Sequence, residues 1–219
     1  MENLITIDGP SGVGKGTLAI SLAKRLHWHY LNSGSLYRIL AYVSDQKKIK
    51  LLNEETLIKL TNNLNVEFEI NNSELVVILD DKNISDIIQN ENCAKKASII
   101  ASNNLVRKSL IKIQRKFYKS PGLVAEGRDM GSVIFQNAKY KFFLQGSTRI
   151  RAERRYKQLK QKGINVSLSR LIGELNRRDQ RDLTRKNSPL IIPSGAVVIY
   201  TDDLSIDEVI HQVTDHIKQ

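Results

Sequence analysis

Nine residues near the start of the chain, Gly9-Pro10-Ser11-Gly12-Val13-Gly14-Lys15-Gly16-Thr17, constrain it more than any other stretch. They follow an apolar run, Leu4-Ile5-Thr6-Ile7-Asp8, and precede a segment in which Leu18, Leu22 and Leu26 recur every four residues. That order predicts strand, glycine loop and helix, the setting a phosphate-binding loop requires. Glycines at 9, 12 and 14 let the backbone approach an anion, so that successive amides and the helix N-terminus point at it. Lys15 adds a full positive charge near the β and γ phosphates. The strict pattern places Ser or Thr directly after the Lys. Here Gly16 intervenes and the hydroxyl is on Thr17, open to direct or water-mediated contact with Mg2+.

With 219 residues and 41% apolar content, the chain can bury a full core as one domain, 1–219, with small appendages. No apolar run approaches the ~18 residues of a membrane span. The phosphate loop starts too near Met1 to leave room for a signal peptide, so a cytoplasmic protein with no membrane partner is expected. Cys93 is the single cysteine, which excludes an internal disulfide and a cysteine metal cage, and it reads as a small buried thiol. His27, His29, His211 and His216 show no metal-type grouping and read as ordinary imidazoles. The net charge of +11 raises nucleic acid as a partner, but its distribution argues otherwise. Residues 149–186 carry thirteen Lys or Arg against four Asp or Glu, a net +9, whereas 61–92 carry seven acids and one Lys, a net −6. A localised excess suits a focused polyanion such as a triphosphate better than a long basic stripe. From a different functional class, an RNA-binding or ribosome-associated P-loop protein is a competing reading; aromatics at only 6% speak against it.

Along the chain, Trp28-His29-Tyr30-Leu31 predicts a second strand and Asn32-Ser33-Gly34 a turn into a helix through Tyr37, Arg38 and Leu40. Asn53 is the expected N-cap of a helix over 54–62. The period then changes: Val66, Phe68 and Ile70 alternate with Glu67 and Glu69, an Asn71-Asn72 turn follows, and Leu75, Val77 and Leu79 alternate again. This predicts a small acidic antiparallel insertion over about 61–92, with a hairpin and a third short strand. Residues 93–119 are expected to be one helix, ended by Pro121-Gly122. Leu123-Val124-Ala125 reads as a buried strand delivering Glu126-Gly127-Arg128-Asp129-Met130-Gly131 to its carboxyl end, and Lys141–Leu144 as another strand. A basic helix from about Ser147 to Lys162 follows, broken by Gly163. Then come a helix from Ser167 to about Arg178 using Leu168, Leu171, Ile172 and Leu175, a last strand Val197–Tyr200, and a final helix with a Ser205/Glu208 capping box burying Val209, Ile210, Val213 and Ile217.

Alternating helices and near-apolar strands imply an α/β fold with a central parallel sheet covered on both faces. Ligands of such sheets sit at the carboxyl ends of the strands, where the glycine loop, the Ser33–Arg38 segment and Arg128-Asp129 fall. Arg38 and Arg128, from two different strand-end loops, read as ligands of a second, acceptor phosphate. Arg151, Arg154 and Arg155 stand at i, i+3 and i+4 of one helix, an arrangement that suits an anion arriving between them and a helical lid of about 148–163 closing over it. A solvated basic face with Glu153 is the alternative. Arg178, Arg181, Asp182 and Arg185 share one face if their helix persists, and can clamp phosphate and accept ribose hydroxyls. An i,i+4 salt bridge of Arg178 with Asp182 is the simpler reading.

With these residues in hand, the chain resembles the bacterial-type cytidylate kinases of the nucleoside monophosphate kinase family. The likeness is carried by residues 5–17 with the GKGT ending, NSGSLYR (32–38), SIIASNNLVR (98–107), EGRDMGSVIF (126–135), RAERRYKQL (151–159) and RRDQRDLTR (177–185). The resemblance implies a P-loop three-layer sandwich with a helical lid and the small β insertion. It implies phosphoryl transfer from ATP with Mg2+ to CMP or dCMP by a monomer. In that likeness Gly9–Thr17 hold the ATP phosphates, while Arg38, Arg128 and Arg178 bind the acceptor phosphate or its neighbourhood. Ser98, Arg107 and Asp129 match the positions that read cytosine, Asp182 the ribose position, and Ser33, Tyr37 and Arg185 the lining of the same pocket. Lys15, Arg128, Arg151, Arg154 and Arg155 would neutralise transferring charge. Two positions depart from the family pattern: Asn32, where Asp is frequent, and Glu126, where Asp is also common. Asn32 removes a charge near the acceptor site.

Overall fold

A computed structural model of the chain describes residues 1–51, 53–161 and 163–218. Eight strands and nine α-helices occur among them. Five strands form a central parallel sheet with flanking helices, β1 (Leu4–Asp8), β2 (His29–Asn32), β6 (Leu123–Gly127), β7 (Tyr140–Gln145) and β8 (Val197–Tyr200), in the order β2-β6-β1-β7-β8. β2 pairs with β6, β1 with β7 and β7 with β8, each parallel, with Leu31 opposite Ala125 and Ile7 opposite Phe142. Every residue of β1 and β6 is buried, which explains their continuous apolar runs and the lack of alternation in them. Residues divide into two compact units, one of Met1–Leu4 with Ala19–Glu126, the other of Ile5–Leu18 with Gly127–Gln219.

In the first unit, α2 (Ser33–Gln46) packs on α5 (Glu91–Ile100), and α3 (Glu54–Asn62) on α6 (Asn104–Lys116). Leu36, Ile39, Leu40, Leu57, Ile100, Val106 and Leu110 are fully buried there. Each such side chain contributes about 1.5–3 kcal/mol relative to exposure. The helix expected over 93–119 is two helices. Asn103 interrupts it: its side chain accepts from the backbone N of Leu105 (2.9 Å) and Val106 (3.1 Å), opening α6 as an N-cap. Asn90 starts α5 in the same way through Cys93 N at 2.8 Å. Asn53 caps α3 through Thr56 N, as the sequence predicts.

The antiparallel insertion is present as β3 (Val66–Asn71), β4 (Glu74–Leu79) and β5 (Lys82–Asn83), followed by a one-turn helix, α4 (Ser85–Ile88), that sequence reasoning did not foresee. Its first turn lies one residue later than expected. Asn72 and Ser73, at φ 48° and 66°, occupy the two positive-φ positions that a tight hairpin turn demands, and Asn71 remains in the strand opposite Glu74. Phe68 anchors the hairpin, its ring 6.4 Å from that of Tyr30 and 5.3 Å from that of Phe117.

In the second unit, α7 (Thr148–Gln161) packs on α8 (Leu168–Thr184) around buried Ala152, Leu159 and Leu171, with Leu168, Ile172 and Leu175 against them. Lys162, the expected end of the basic helix, lies outside the described residues; Gly163 follows at φ 73°. Ser167 caps α8 through Arg170 N, and the helix runs on through the RRDQRD stretch instead of ending near Arg178. The final helix, α9 (Ile206–Lys218), carries the reciprocal capping box, with Ser205 N donating to Glu208 and Glu208 N to Ser205 Oγ. No helix among the described residues is long and apolar enough to cross a membrane.

Candidate active site

The phosphate cradle belongs to the second unit. The buried β1 ends at Asp8, and the chain turns through Gly9, Gly12 and Gly14, at φ 146°, 77° and 101°, into the first helix, α1 (Lys15–Leu26). At Gly9 the glycine is obligatory twice over: the backbone is left-handed, and a Cβ would come within 2.3 Å of the Leu144 carbonyl oxygen. Lys15 is buried at the base of the loop and donates Nζ to the Pro10 carbonyl at 2.7 Å. Ser11, Gly12 and Val13 form the crest, and Gly16 and Thr17 lie in the first turn of α1, with Thr17 exposed. The free amides of that first turn and the helix dipole favour an anion there.

The three arginines of α7 do different things. Arg151 is buried and committed to protein partners: Nε donates to Gly146 O (2.9 Å), Nη1 to Ser11 O (3.0 Å), and Nη2 to Thr148 Oγ1 (2.9 Å) and Asp179 Oδ2 (2.7 Å). It clasps the crest of the glycine loop to α7 and α8. Arg154 donates Nη1 to Thr201 Oγ1 at 3.1 Å and Nη2 to the Thr201 carbonyl. Arg155 reaches Gln158 Oε1 at 3.5 Å along its own helix. Asp179 and Thr201 were not singled out in the sequence, because partners 28 and 47 residues away leave no local signal.

Asp182 is the centre of a cationic cluster in the same unit. Its Oδ2 accepts from Arg128 Nε at 2.8 Å and its Oδ1 faces Arg185 Nη1 at 3.5 Å. Burial pushes the Asp182 carboxyl up, but the charges of Arg128, Arg178 and Arg185 and the Arg128 hydrogen bond outweigh it, leaving the pKa below the ordinary 3.8. Three guanidiniums against one carboxylate leave an excess of positive charge, as an anion site requires. The membership differs from the sequence expectation at one position. Arg181 is exposed and donates to the Arg177 carbonyl of its own helix, and Arg128 completes the cluster in its place. Arg185 joins it from the extended C-cap of α8, not from a further helical turn. Asp129, next to Arg128, is buried.

The remaining predicted residues lie in the first unit. Buried Ser33 and Tyr37 and half-buried Arg38 are carried by α2. Arg38 is aimed by the carbonyls of Ile88 (2.6 Å) and Asn90 (3.2 Å) at the end of α4. Ser98 on α5 and Arg107 on α6 are both buried; Arg107 lies 5.6 Å from the Tyr37 ring centroid and donates to Ala101 O at 3.2 Å. Cys93 is the buried thiol expected, its Sγ 3.4 Å from the Arg38 carbonyl, and burial pushes its pKa up. Two residues that flank the predicted set prove central to its geometry. Glu126 accepts from the Tyr30 hydroxyl (2.6 Å) and from Asn32 Nδ2 (2.7 Å) at one oxygen. Asp8, at the root of the glycine loop, accepts two backbone amides. Among the described residues no group of three or more His, Cys, Asp and Glu could hold a metal ion.

The family model described as Cytidylate kinase matches residues 5–219. A cytidylate kinase from Colwellia psychrerythraea is 47% identical over 211 residues, 96% of this chain and 93% of that protein. One from Sodalis glossinidius is 44% identical over 216 residues, 99% and 95% of the two chains. Among solved structures, a gluconokinase from Sinorhizobium meliloti superposes with a TM-score of 0.50 at 14% identity, covering 99% of this chain and 91% of that one, a likeness of fold alone.

Proposed function

The chain belongs to the cytidylate kinase family, and from that premise we propose that it transfers the γ-phosphoryl group of ATP to CMP or dCMP, giving ADP and the corresponding diphosphate. The observation that carries this reading is the presence, in one compact unit, of a glycine cradle with Lys15 and a three-arginine cluster around Asp182. Both are anion sites, and a kinase joining two phosphates needs two.

The acceptor oxygen of a nucleoside monophosphate is already anionic near neutral pH, so no general base is required. Catalysis is then alignment of donor and acceptor together with charge neutralisation. Gly9–Thr17 bind the ATP phosphates, with Lys15 placed against the transferring group. Arg128 and Arg178, with Arg38, bind the acceptor phosphate; Asp182 accepts from the ribose; Ser33, Tyr37 and Arg185 line the pocket. Ser98, Arg107 and Asp129 read the base. Cytosine offers an amino donor to a serine oxygen and a carboxylate, whereas uracil presents an oxygen there and leaves them unpaired. Arg154 and Arg155 neutralise charge from the lid, and Arg151 holds the loop that does so.

Mg2+ fits this donor set. It usually keeps several waters and binds through substrate phosphates, so the Thr17 hydroxyl beside a triphosphate suffices without a carboxylate cage. When bound there, it would supply charge neutralisation to the donor phosphates. We read 1–219 as one kinase domain with its lid at about 148–163 and insertion at about 61–92, working as a monomer in the cytoplasm, where ATP and nucleoside monophosphates are found. A coupled ADP-release assay with ATP and a panel of CMP, dCMP, UMP, AMP and dTMP tests the proposal. Turnover confined to the cytidine nucleotides supports it, and a purified protein that ignores CMP ends it.

A further inference from the structure

The arginine that would meet the acceptor phosphate and the loop that would hold the donor are joined through a single buried carboxylate. Asp8 closes β1 and is completely buried. Its Oδ1 accepts from Met130 N and its Oδ2 from Gly131 N, each at 2.8 Å. These amides open a π-helical turn, Met130–Ile134, that begins directly after Arg128 and Asp129. The residue at the turn's own N-cap position, Asp129, makes no side-chain capping bond, so the cap comes from Asp8, 122 and 123 residues away in sequence. The turn in turn holds Asp129, whose carbonyl accepts from Val133 N (2.9 Å) and Ile134 N (3.1 Å).

We infer that Asp8 is a positioning residue, holding Arg128 and Asp129 in fixed register with the glycine loop. This deepens, and rests on, the reading of the chain as a kinase of CMP. The register is stiff at both ends. Gly9, the next residue, has a Cβ position 2.3 Å from the Leu144 carbonyl, so the loop cannot slide there. Gly131 is similarly enclosed, its Cβ position 2.9 Å from Thr6 Oγ1 and 3.0 Å from Pro193 Cγ. A carboxylate is the side chain that suits two adjacent N–H donors, because both of its oxygens accept. An amide of the same shape accepts on one side only and sets N–H against N–H on the other. Burial raises the Asp8 pKa to about 6; the Gly131 and Met130 amides oppose that shift, Asp129 adds to it and Lys15 counters it.

Asp8→Asn tests the inference by a split in the kinetic constants. One backbone amide loses its acceptor, Arg128 and Asp129 shift, and kcat is expected to fall roughly 10- to 100-fold. The KM for CMP should rise several-fold while the KM for ATP stays within about twofold, since the cradle's own amides are untouched. A folded variant with unchanged kcat and KM for CMP, or one in which both KM values rise together, overturns the positioning role. If the variant does not fold, the unaltered protein supplies the answer without any assay of activity. The backbone amide signals of Met130 and Gly131 should move together in an NMR titration, with one shared inflection above the ordinary carboxylate range as Asp8 takes up its proton. Met130 and Gly131 amides that share no inflection anywhere between about pH 3 and about pH 8 overturn the inference, whatever the enzyme phosphorylates.

Discussion

Asn32 uses both ends of its amide: Nδ2 donates to Glu126 Oε1 at 2.7 Å, and Oδ1 accepts from Ser35 N at 2.9 Å as the N-cap of α2. The two positions that depart from the family pattern are therefore in direct contact. A neutral donor stands beside a single buried carboxylate, where Asp at position 32 would set two carboxylates against each other. Tyr30 donates to the same oxygen at 2.6 Å and fixes it from the other side. Burial, then the Glu126 charge, pushes the Tyr30 pKa well above its ordinary 10.0, so it stays a donor throughout the working range.

Asn32→Asp should therefore cost stability by about 1–3 kcal/mol, the loss of a donor to a buried charged group. The loss should depend on pH in a definite sense. One of the two neighbouring carboxyls acquires a raised pKa, so stability is retained below that pKa and falls as pH rises through it. Urea unfolding midpoints at about pH 5 and about pH 8 read this directly. Because α2 carries Ser33, Tyr37 and Arg38, the KM for CMP should rise at the higher pH as well. Equal midpoints for variant and parent at both values would show that the pair is not coupled.

Lys15→Ala and Arg128→Ala should lower kcat by about 10²–10³-fold, as expected for removing a donor aimed at developing charge. Neither should unfold the chain. Arg128→Ala leaves Asp182 with Arg178 and Arg185 as counter-charges, and Lys15 donates to the Pro10 carbonyl within the very loop it serves. Steady-state rates with ATP and CMP, beside thermal melts, separate the two effects. Near-normal turnover in either variant removes that residue from its assigned role.

Asp182 holds its charge below the ordinary carboxylate range, so the sign of its contribution is opposite to that at position 32. Stability from its arginine partners is present above about pH 4 and is lost as pH falls through the lowered value in the folded state. Asp182→Asn should flatten that acid limb and cost about 3–5 kcal/mol near neutrality, because three guanidiniums lose their common anion. Inorganic phosphate should restore part of the loss by binding the bared cluster. Melting temperatures with and without phosphate check this, and a variant that phosphate leaves unmoved argues against an anion site there.

Elements whose signal is local were legible in the sequence, and those fixed across the chain were not. The strand, glycine loop and helix over 4–26 and the caps at Asn53 and Ser205 each depend on residues a few positions apart and form as read; the acidic hairpin forms too, with its turn one residue later. The break at Asn103 was missed because the apolar face of Val106, Leu110, Ile113 and Phe117 continues the helical period while a single polar side chain resets the backbone. At the site, residue types and spacing picked out the cationic members, but not who neutralises whom. Asp182 carries Arg128 from 54 positions away, Asp179 carries Arg151, and Asp8 caps a turn that has no sequence signature. A carboxylate between two arginines in sequence looks like a helix-surface ion pair until the distant partner is in place.

Neighbouring arginines of α7 should fail in different ways. Arg151 spends its guanidinium on Gly146, Ser11, Thr148 and Asp179. Arg151→Ala leaves the partly buried Asp179 without its cation and frees the crest of the glycine loop, so it should lose up to about 3–5 kcal/mol of stability and raise the KM for ATP. Arg151→Lys should recover little, since an ammonium cannot reproduce a forked set of four contacts. Arg155 lies half-buried one turn along the same helix, where it reaches Gln158 Oε1 at 3.5 Å. Arg155 is the less buried of the two, so Arg155→Ala should cost less stability than Arg151→Ala while lowering kcat by about tenfold or more. Thermal melts and steady-state kinetics on the pair decide the matter. If Arg155→Ala unfolds the chain, or Arg151→Ala lowers kcat with stability intact, the division into a loop clasp and a charge-neutralising residue is reversed.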